Sequence, residues 1–256
     1  MSNRYSRQIA FSAFGQDGQA KLGAASVLVV GAGGLGSWAA ELLVRAGVGR
    51  VRICDDDSVE VSNLHRQSLY SEQDAAAHPL KVDAAAARLT AINSACRIEP
   101  FTERIDPLTI HRAAKDIDVI VDGTDNFPTR FLINDYAVKF AIPWVSAGVM
   151  EGQGQVMTLI AGTTPCLRCI FPSVPSCGDE NVCRRFGVLG SVVAAISAIQ
   201  ATEVIKLLSG HSEKANPMLT KIDLWNNTVQ RIALSKLWPS TPCRCCRQKE
   251  FDCLEP

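Results

Sequence analysis

Short apolar runs and segments of helical periodicity alternate along the chain from residue 26 to about residue 147. SVLVV (26–30), RVRIC (50–54), CRIEPF (96–101), DVIVD (118–122) and PWVSAG (143–148) are bounded by turn-forming residues, and each predicts a strand. Between them, 34–46, the Ala-rich 81–93, 107–114 and 128–139 predict helices. Such alternation predicts an α/β fold: a Rossmann-like, doubly wound parallel sheet that takes ligands at the carboxyl ends of its strands. Past residue 150 the pattern changes. GQVMTLI (154–160), PMLTKIDLW (217–225) and TVQRIAL (228–234) predict strands extending the sheet in antiparallel fashion, with WNN (225–227) as a hairpin turn. A long helix is expected over 188–208. Its apolar stretch, GVLGSVVAAISAI (187–199), runs straight into Gln200, Glu203 and Lys206, so a buried helix is expected rather than a membrane span. The whole chain, 1–256, is expected to be one domain: a helical arm (1–25), a nucleotide-binding half (26–150) and a second half (151–256).

Composition narrows this picture. A chain of 256 residues that is 47% hydrophobic can bury one large core. Zero net charge provides no global field toward nucleic acid or membrane, and neither is expected as a partner. The polar N-terminus lacks a signal-peptide core, which predicts a soluble cytoplasmic protein. Ten cysteines are many for such a chain and point to metal or thiol chemistry rather than disulfides. Cys54 and Cys96 stand alone beside apolar runs and are expected to be inert core residues.

The candidate chemistry begins at VLVVGAGGLG (27–36), followed about twenty residues later by CDDD (54–57), the strand–turn–acid spacing of a nucleotide fingerprint. Gly31 and Gly33 allow a tight turn and close approach of phosphate, Gly36 allows close strand–helix packing, and the helix N-terminus presents free amides to an anion. Asp55 or Asp57 would accept bonds from ribose hydroxyls. Arg66 and Lys81 add fixed positive charge, and Asp125, after the fourth predicted strand, is placed to hold Mg²⁺. Basic groups with a metal-binding carboxylate suit displacement on a triphosphate better than a dinucleotide. A NAD-linked oxidoreductase would rest on the glycine turn and acid alone. A non-catalytic, zinc-stabilised nucleotide-binding adaptor would have no need of Arg66, Lys81 and Asp125 together.

RYSRQI (4–9), GAGGLG (31–36), DDDSVEVSNLHRQ (55–67), PLKV (79–82), GTDN (123–126), CLRC (166–169), CRRFGVLG (183–190), QATEVIKLLSG (200–210) and CRCC (243–246) follow one another as in the ThiF/MoeB/HesA family, and the chain resembles it over nearly its whole length. The resemblance implies an adenylyltransferase that uses Mg·ATP to activate the C-terminal glycine carboxylate of a ubiquitin-fold sulfur carrier ending in Gly-Gly, a ThiS- or MoaD-like protein. Pyrophosphate is released and the carrier is prepared for thiocarboxylate formation, in thiamine or molybdopterin biosynthesis. It implies that Asp55 and Asp57 hold ribose or metal, that Asn63, Arg66 and Lys81 hold phosphates, and that Asp125 is the Mg²⁺ ligand, with Gly34 and Gln67 completing the nucleotide-contact set. Arg7 resembles an arginine that reaches the neighbouring subunit's nucleotide, which implies a homodimer. Sulfur is expected from a separate cysteine desulfurase or rhodanese-type donor.

CLRC and CRCC supply two Cys-x₂-Cys knuckles able to hold a closed tetrahedral Zn²⁺ through Cys166, Cys169, Cys243 and Cys246; a redox pair or unligated thiols are the rivals. The family carries the same zinc site. Cys245, inside the second knuckle, is a competing ligand. Cys183, beside Arg184 and Arg185 and after a loop (172–182), is the candidate reactive thiol, which the resemblance implies for acyl or sulfur transfer. Cys177 is its alternative, and a mechanism needing no thiol is the third reading. By the resemblance, 151–256 is the carrier-binding and zinc half.

Overall fold

The structure, a computed structural model, describes residues 3–173, 186–234 and 242–255. The reactive-thiol candidates Cys177 and Cys183, with Arg184 and Arg185, lie outside the described residues. In chain order the elements are α1 (Ser6–Ile9), α2 (Gly15–Ala24), β1 (Ser26–Val30), α3 (Gly34–Ala46), β2 (Arg50–Cys54), α4 (Glu72–Ala77), α5 (Lys81–Ile92), β3 (Arg97–Phe101), α6 (Ile110–Ala113), β4 (Val119–Asp122), α7 (Phe127–Phe140), β5 (Trp144–Met150), β6 (Gln153–Leu159), α8 (Leu167–Ile170), α9 (Gly190–Leu208), β7 (Met218–Asp223) and β8 (Thr228–Ala233). The strands form one sheet in the order β3-β2-β1-β4-β5-β6-β7-β8. β1 to β5 pair in parallel, and β6, β7 and β8 extend the sheet antiparallel.

Strand alternation assigns residues to two cores. Val27, Val29, Val51, Ile53, Val119, Val121, Val145 and Ala147 pack toward α3, α5 and α9. Leu28, Val30, Ile120, Trp144, Met157 and Leu159 pack toward α6 and α7 on the opposite face. The central strands β1 and β4 are covered on both faces and are continuous apolar runs, whereas β2 and the edge strand β3 carry Arg50, Arg52, Arg97 and Glu99 on their less buried positions. The chain turns to opposite sides of β1, so the crevice between β1 and β4 is the topological switch point where such sheets bind ligands.

The expected helix over 107–114 shortens to α6. Asp106 accepts from the amides of Leu108 and Thr109 and holds those residues in a turn. α4 was not anticipated; Ser71 caps it in a reciprocal box with Asp74. α9 is the one helix among the described residues long and apolar enough to cross a membrane, yet its polar side chains anchor it to the sheet. Ser197 Oγ donates to Leu35 O (3.0 Å), Gln200 Nε2 to Asp122 O and Val145 O (2.8 Å each), and Glu203 accepts from Thr158 Oγ1 (3.2 Å). It is a core helix. Cys54 and Cys96 are buried thiols; burial pushes Cys54 far above the ordinary range and Cys96 up to about 11, as expected of inert sulfur.

Candidate nucleotide site and cysteine cluster

The switch point is built by backbone contact between glycines. Gly31 adopts φ +92°, and its amide donates to Cys54 O at 2.7 Å. A Cβ on Gly36 would lie 1.8 Å from Gly31 O, and one on Gly123 would lie 2.7 Å from the same oxygen, so the turns after β1 and β4 and the start of α3 interlock without side chains. Gly33 is the N-cap of α3 and offers no side-chain acceptor, and Gly34 begins the helix, so its first amides are free for an anion.

Asp55, just past β2, is strapped to this turn. Its Oδ2 accepts from Ala32 N (2.7 Å) and its Oδ1 from Asp57 N (2.9 Å). Lys81, buried at the first position of α5, places Nζ 2.7 Å from Asp57 Oδ2 and 3.9 Å from Asp55 Oδ1. Burial raises the Asp55 carboxyl above its ordinary range, while the Lys81 ammonium and the two backbone donors pull it back down. Segment 61–70 folds over the first turn of α3. Asn63 Oδ1 accepts from Glu60 N (3.1 Å), and Asn63 O accepts from the amides of Arg66 and Gln67. The Arg66 stem lies beside Gly34, Arg66 Nη1 donates to Ser62 O (2.9 Å), and Arg66 O accepts from Trp38 Nε1 (3.1 Å). Gln67 is buried above Gly33, and its Oε1 has no partner.

Across the crevice, Asp125 is exposed in the turn after β4. A helix-capping role falls instead to Asn126, whose side chain accepts from Thr129 N (3.0 Å). The structure therefore gathers Gly31, Gly33, Gly34, Gly36, Asp55, Asp57, Asn63, Arg66, Gln67, Lys81 and Asp125 around one switch point. Arg7 is not among them. The arm packs at the far end of α3, where Gln8 Nε2 donates to Ala46 O (2.9 Å), and α3 is 13 residues, about 20 Å, long.

Sequence reasoning missed the cluster beneath Asp125. The fully buried Asp122 accepts from Thr124 N (3.0 Å), Thr124 Oγ1 (2.6 Å) and Ser146 Oγ (2.9 Å), and pairs with Arg130 Nε at 3.1 Å. Arg130 Nη2 donates to Thr124 O (2.7 Å) and Ala147 O (2.9 Å). A signal was present: Arg130 lies in the first turn of α7, where the helix dipole disfavours a cation.

The cysteine cluster lies beside α7. The Sγ atoms of Cys166, Cys169, Cys243 and Cys246 are all within 4.8 Å of one another, with individual separations of 3.9 Å (Cys166–Cys169), 3.5 Å (Cys166–Cys243) and 3.5 Å (Cys169–Cys246). Zn–S bonds of about 2.3 Å in a tetrahedron require edges of about 3.8 Å, so the four thiols fit zinc closely. Cys245 stands outside this group, its sulfur accepting from Asn134 Nδ2 at 3.4 Å. Within the first knuckle, Arg168 makes a two-point contact with the buried Asp135 (2.8 Å each), and Asp135 also accepts from Cys253 N (3.1 Å). Both knuckles and the C-terminal residues are thereby fastened to α7.

A model of the ThiF family matches residues 5–245. The sulfur carrier protein ThiS adenylyltransferase of Bacillus subtilis is 39% identical over 251 residues, covering 98% of this chain and 73% of that protein. The sulfur carrier protein adenylyltransferase of Thermus thermophilus is 41% identical over 213 residues, covering 81% of this chain and 78% of that one. The adenylyltransferase and sulfurtransferase MOCS3 of Sus scrofa is 40% identical over 96% of this chain, which spans 53% of that relative's length. Among solved structures, Escherichia coli MccB with ATP superimposes with a TM-score of 0.81 at 25% identity, over 96% of this chain and 75% of that one.

Proposed function

The chain belongs to the ThiF family, and from that premise we propose that it is an adenylyltransferase acting with ATP on the C-terminal glycine carboxylate of a ubiquitin-like sulfur-carrier protein. A carboxylate oxygen bonds to the α-phosphorus of ATP, the bond from that phosphorus to the β-phosphate bridge breaks, and pyrophosphate leaves. The product acyl-adenylate makes the carboxyl carbon open to sulfur. The observation that carries this reading is the convergence, at one switch point, of an uncapped helix N-terminus, the Lys81–Asp57–Asp55 group and Asp125. Two anions must meet in the reaction, and the first amides of α3, the Lys81 ammonium and a Mg²⁺ held by Asp125 would offset their repulsion.

In this assignment Asp55 holds the ribose, and the free amides of α3 with Arg66, Gln67 and Lys81 hold the phosphates. Asp125 holds Mg²⁺, which neutralises phosphate charge when bound. Cys166, Cys169, Cys243 and Cys246 hold zinc, which fixes the C-terminal residues to α7. Residues 26–150 serve the nucleotide; 151–256 serve the carrier and zinc. Because Arg7 lies some 20 Å from its own glycine turn by the length of α3, its service at a nucleotide belongs to a second copy, in a cytoplasmic homodimer. Sulfur comes from a separate cysteine desulfurase or rhodanese-type donor, and Cys183 takes part in its transfer: Cys183→Ala should keep adenylation and lose thiocarboxylate formation. A NAD-linked oxidoreductase or a non-turning adaptor is not favoured, since the relatives named above are adenylyltransferases.

The deciding experiment is ATP–pyrophosphate exchange with Mg²⁺ and each of two purified carriers ending in Gly-Gly, one ThiS-like and one MoaD-like. Exchange that requires a carrier is the expected result, and the preferred carrier names the pathway. Absence of exchange with both would refute adenylation of these carriers.

A further inference from the structure

His78 holds a backbone conformation that glycine or asparagine takes more easily. It is the C-cap of α4, in the left-handed region at φ +55° and ψ +42°. Its amide closes α4 on Asp74 O at 2.8 Å. Its side chain does what a glycine could not: Nδ1 lies 2.7 Å from Val59 O. A carbonyl only accepts, so Nδ1 carries the hydrogen. The bond is therefore the same whether or not Nε2 is protonated.

That bond replaces one that the sequence removes. Residues 57–59 and 79–81 form a short antiparallel ladder around the Ser58–Leu80 bridge. Lys81 N donates to Asp57 O (2.8 Å), and Val59 N donates to Pro79 O (3.0 Å). In a regular ladder the residues at 59 and 79 would exchange two bonds, but Pro79 has no N–H to return. Val59 is fully buried, so its carbonyl cannot turn to water instead. The imidazole of the residue before the proline supplies the missing donor.

The ladder links parts of the candidate nucleotide site. Lys81 places Nζ 2.7 Å from Asp57 Oδ2, and Glu60, next to Val59, donates its amide to Asn63 Oδ1 at 3.1 Å. Lys81 is also the first residue of α5, where the helix dipole disfavours a cation. Its place there is imposed by local bonding rather than by helix preference. We propose that His78 is a positioning residue for the nucleotide: by holding Val59 O it fixes residues 57–60 against 79–81, and so keeps the Lys81 ammonium beside Asp57 and Asp55, where phosphate charge arrives. This deepens the adenylation reading and rests on it. His78 acts through Lys81 and not on the substrate.

The test compares His78→Gly with His78→Asn in the whole chain, by calorimetric titration of ATP with Mg²⁺, carrier-dependent exchange and thermal melting. Glycine keeps the left-handed cap and removes the donor; asparagine keeps the cap and returns a donor through Nδ2. His78→Gly should lower ATP affinity about fivefold, the loss of roughly one hydrogen bond. Its Tm should stay within about 3 °C of wild type, since relief of the cap offsets the lost bond. The KM for the carrier at saturating ATP should stay within about twofold, and His78→Asn should bind ATP within about twofold of wild type. On a Lys81→Met background, His78→Gly should cost no further ATP affinity, the non-additivity of a residue that acts through another. Wild-type ATP affinity in His78→Gly would overturn the proposal, as would an equal loss in His78→Asn or a loss that persists undiminished beside Lys81→Met. Absence of ATP binding to the wild type would overturn the adenylation reading as well, so the two failures are distinguishable.

Discussion

Gly33→Ala and Gly36→Ala, three residues apart in one turn, should fail in different ways. An ideal Cβ on Gly36 would lie 1.8 Å from Gly31 O, 2.9 Å from Gly31 C and 3.3 Å from Val29 Cγ1. Carbon–oxygen contacts settle at about 3.3 Å or more, so α3 would have to lift by roughly 1.5 Å. The oxygen cannot yield, because Gly31 N is bonded to Cys54 O at 2.7 Å and the Gly123 backbone presses against Gly31 from the other side. Overpacking of this kind costs about 3 kcal/mol, and the better helix propensity of alanine returns about 1 kcal/mol. A net loss of about 2 kcal/mol in a chain of this size lowers Tm by about 4–8 °C, and ATP binding falls with the deformed turn. At Gly33 the nearest atom to a Cβ is Gln67 Nε2 at 3.9 Å, and φ is −77°. Gly33→Ala should therefore melt within about 2 °C of wild type. The new methyl nevertheless occupies the space where phosphate approaches the backbone, and ATP affinity should fall by about tenfold or more. Thermal melting followed by circular dichroism, together with calorimetric titration of ATP, reads both effects. Wild-type melting of Gly36→Ala, or wild-type ATP affinity in Gly33→Ala, would refute the division of labour between the two glycines.

Other outcomes follow from the same structure. Metal analysis should find about one zinc per chain; Cys246→Ser should lose it and Cys245→Ser should keep it. Strong chelation should lower Tm and expose the C-terminal residues to protease before it affects chemistry. The Asp55 carboxyl is raised by burial and partly restored by Lys81, so ionising it opposes folding: its contribution to stability is present below the ordinary aspartate range and is lost as pH rises through the raised value. ATP binding needs the ionised form and weakens on acidification. Lys81→Met should move that weakening to higher pH, as read by ATP titrations between about pH 4 and about pH 8. Mixing Arg7→Ala subunits with Asp125→Ala subunits should recover one working site per hybrid dimer; no recovery would sink the in-trans role of Arg7.

The elements most legible in the sequence are those whose burial leaves no choice. β1, β2 and α3 begin and end where the apolar runs and the glycine turn place them, because β1 is covered on both faces, β2 buries Val51, Ile53 and Cys54, and Gly31 needs its positive φ. The hairpin between β7 and β8 turns at Asn227, which takes φ +55° as its residue type allows. α4 escaped notice because half of its six residues are alanine and its stability comes from a local capping box rather than from an apolar face. The Asp122–Ser146–Arg130 cluster was hidden for another reason. Its members come from β4, β5 and α7, and each alone looks like an ordinary strand end or helix surface residue. Arg130 carried the one local clue, a cation at the wrong end of a helix. The exclusion of Cys245 from the four-sulfur group depends on side-chain direction, which spacing alone cannot decide.

Two buried ion pairs flank α7, and the difference between them separates scaffold from site. Asp135 accepts two bonds from Arg168, one from Cys253 N and one from Asn134 Nδ2. That pair joins the cysteine knuckle to α7, with both Nε and Nη2 of Arg168 aligned on the carboxylate. The pair at Asp122 is equally buried, yet Arg130 Nε approaches Asp122 without hydrogen-bond alignment. Other buried polar atoms lacking a partner gather nearby: Gln67 Oε1 and Ser68 Oγ in the segment over the glycine turn, and Gln200 Oε1 on the helix that bonds to Asp122 O. Trp144 Nε1, at the opposite end of β5, is the exception. An unpaired buried polar group costs about 1–3 kcal/mol, so stability alone gives no reason to collect several at one end of one sheet. Arg130 Nε is a donor and suits a ligand oxygen, whereas Gln67 Oε1 is an acceptor and needs a donor such as a ribose hydroxyl, so a nucleotide lying across the switch point would bring both kinds of partner.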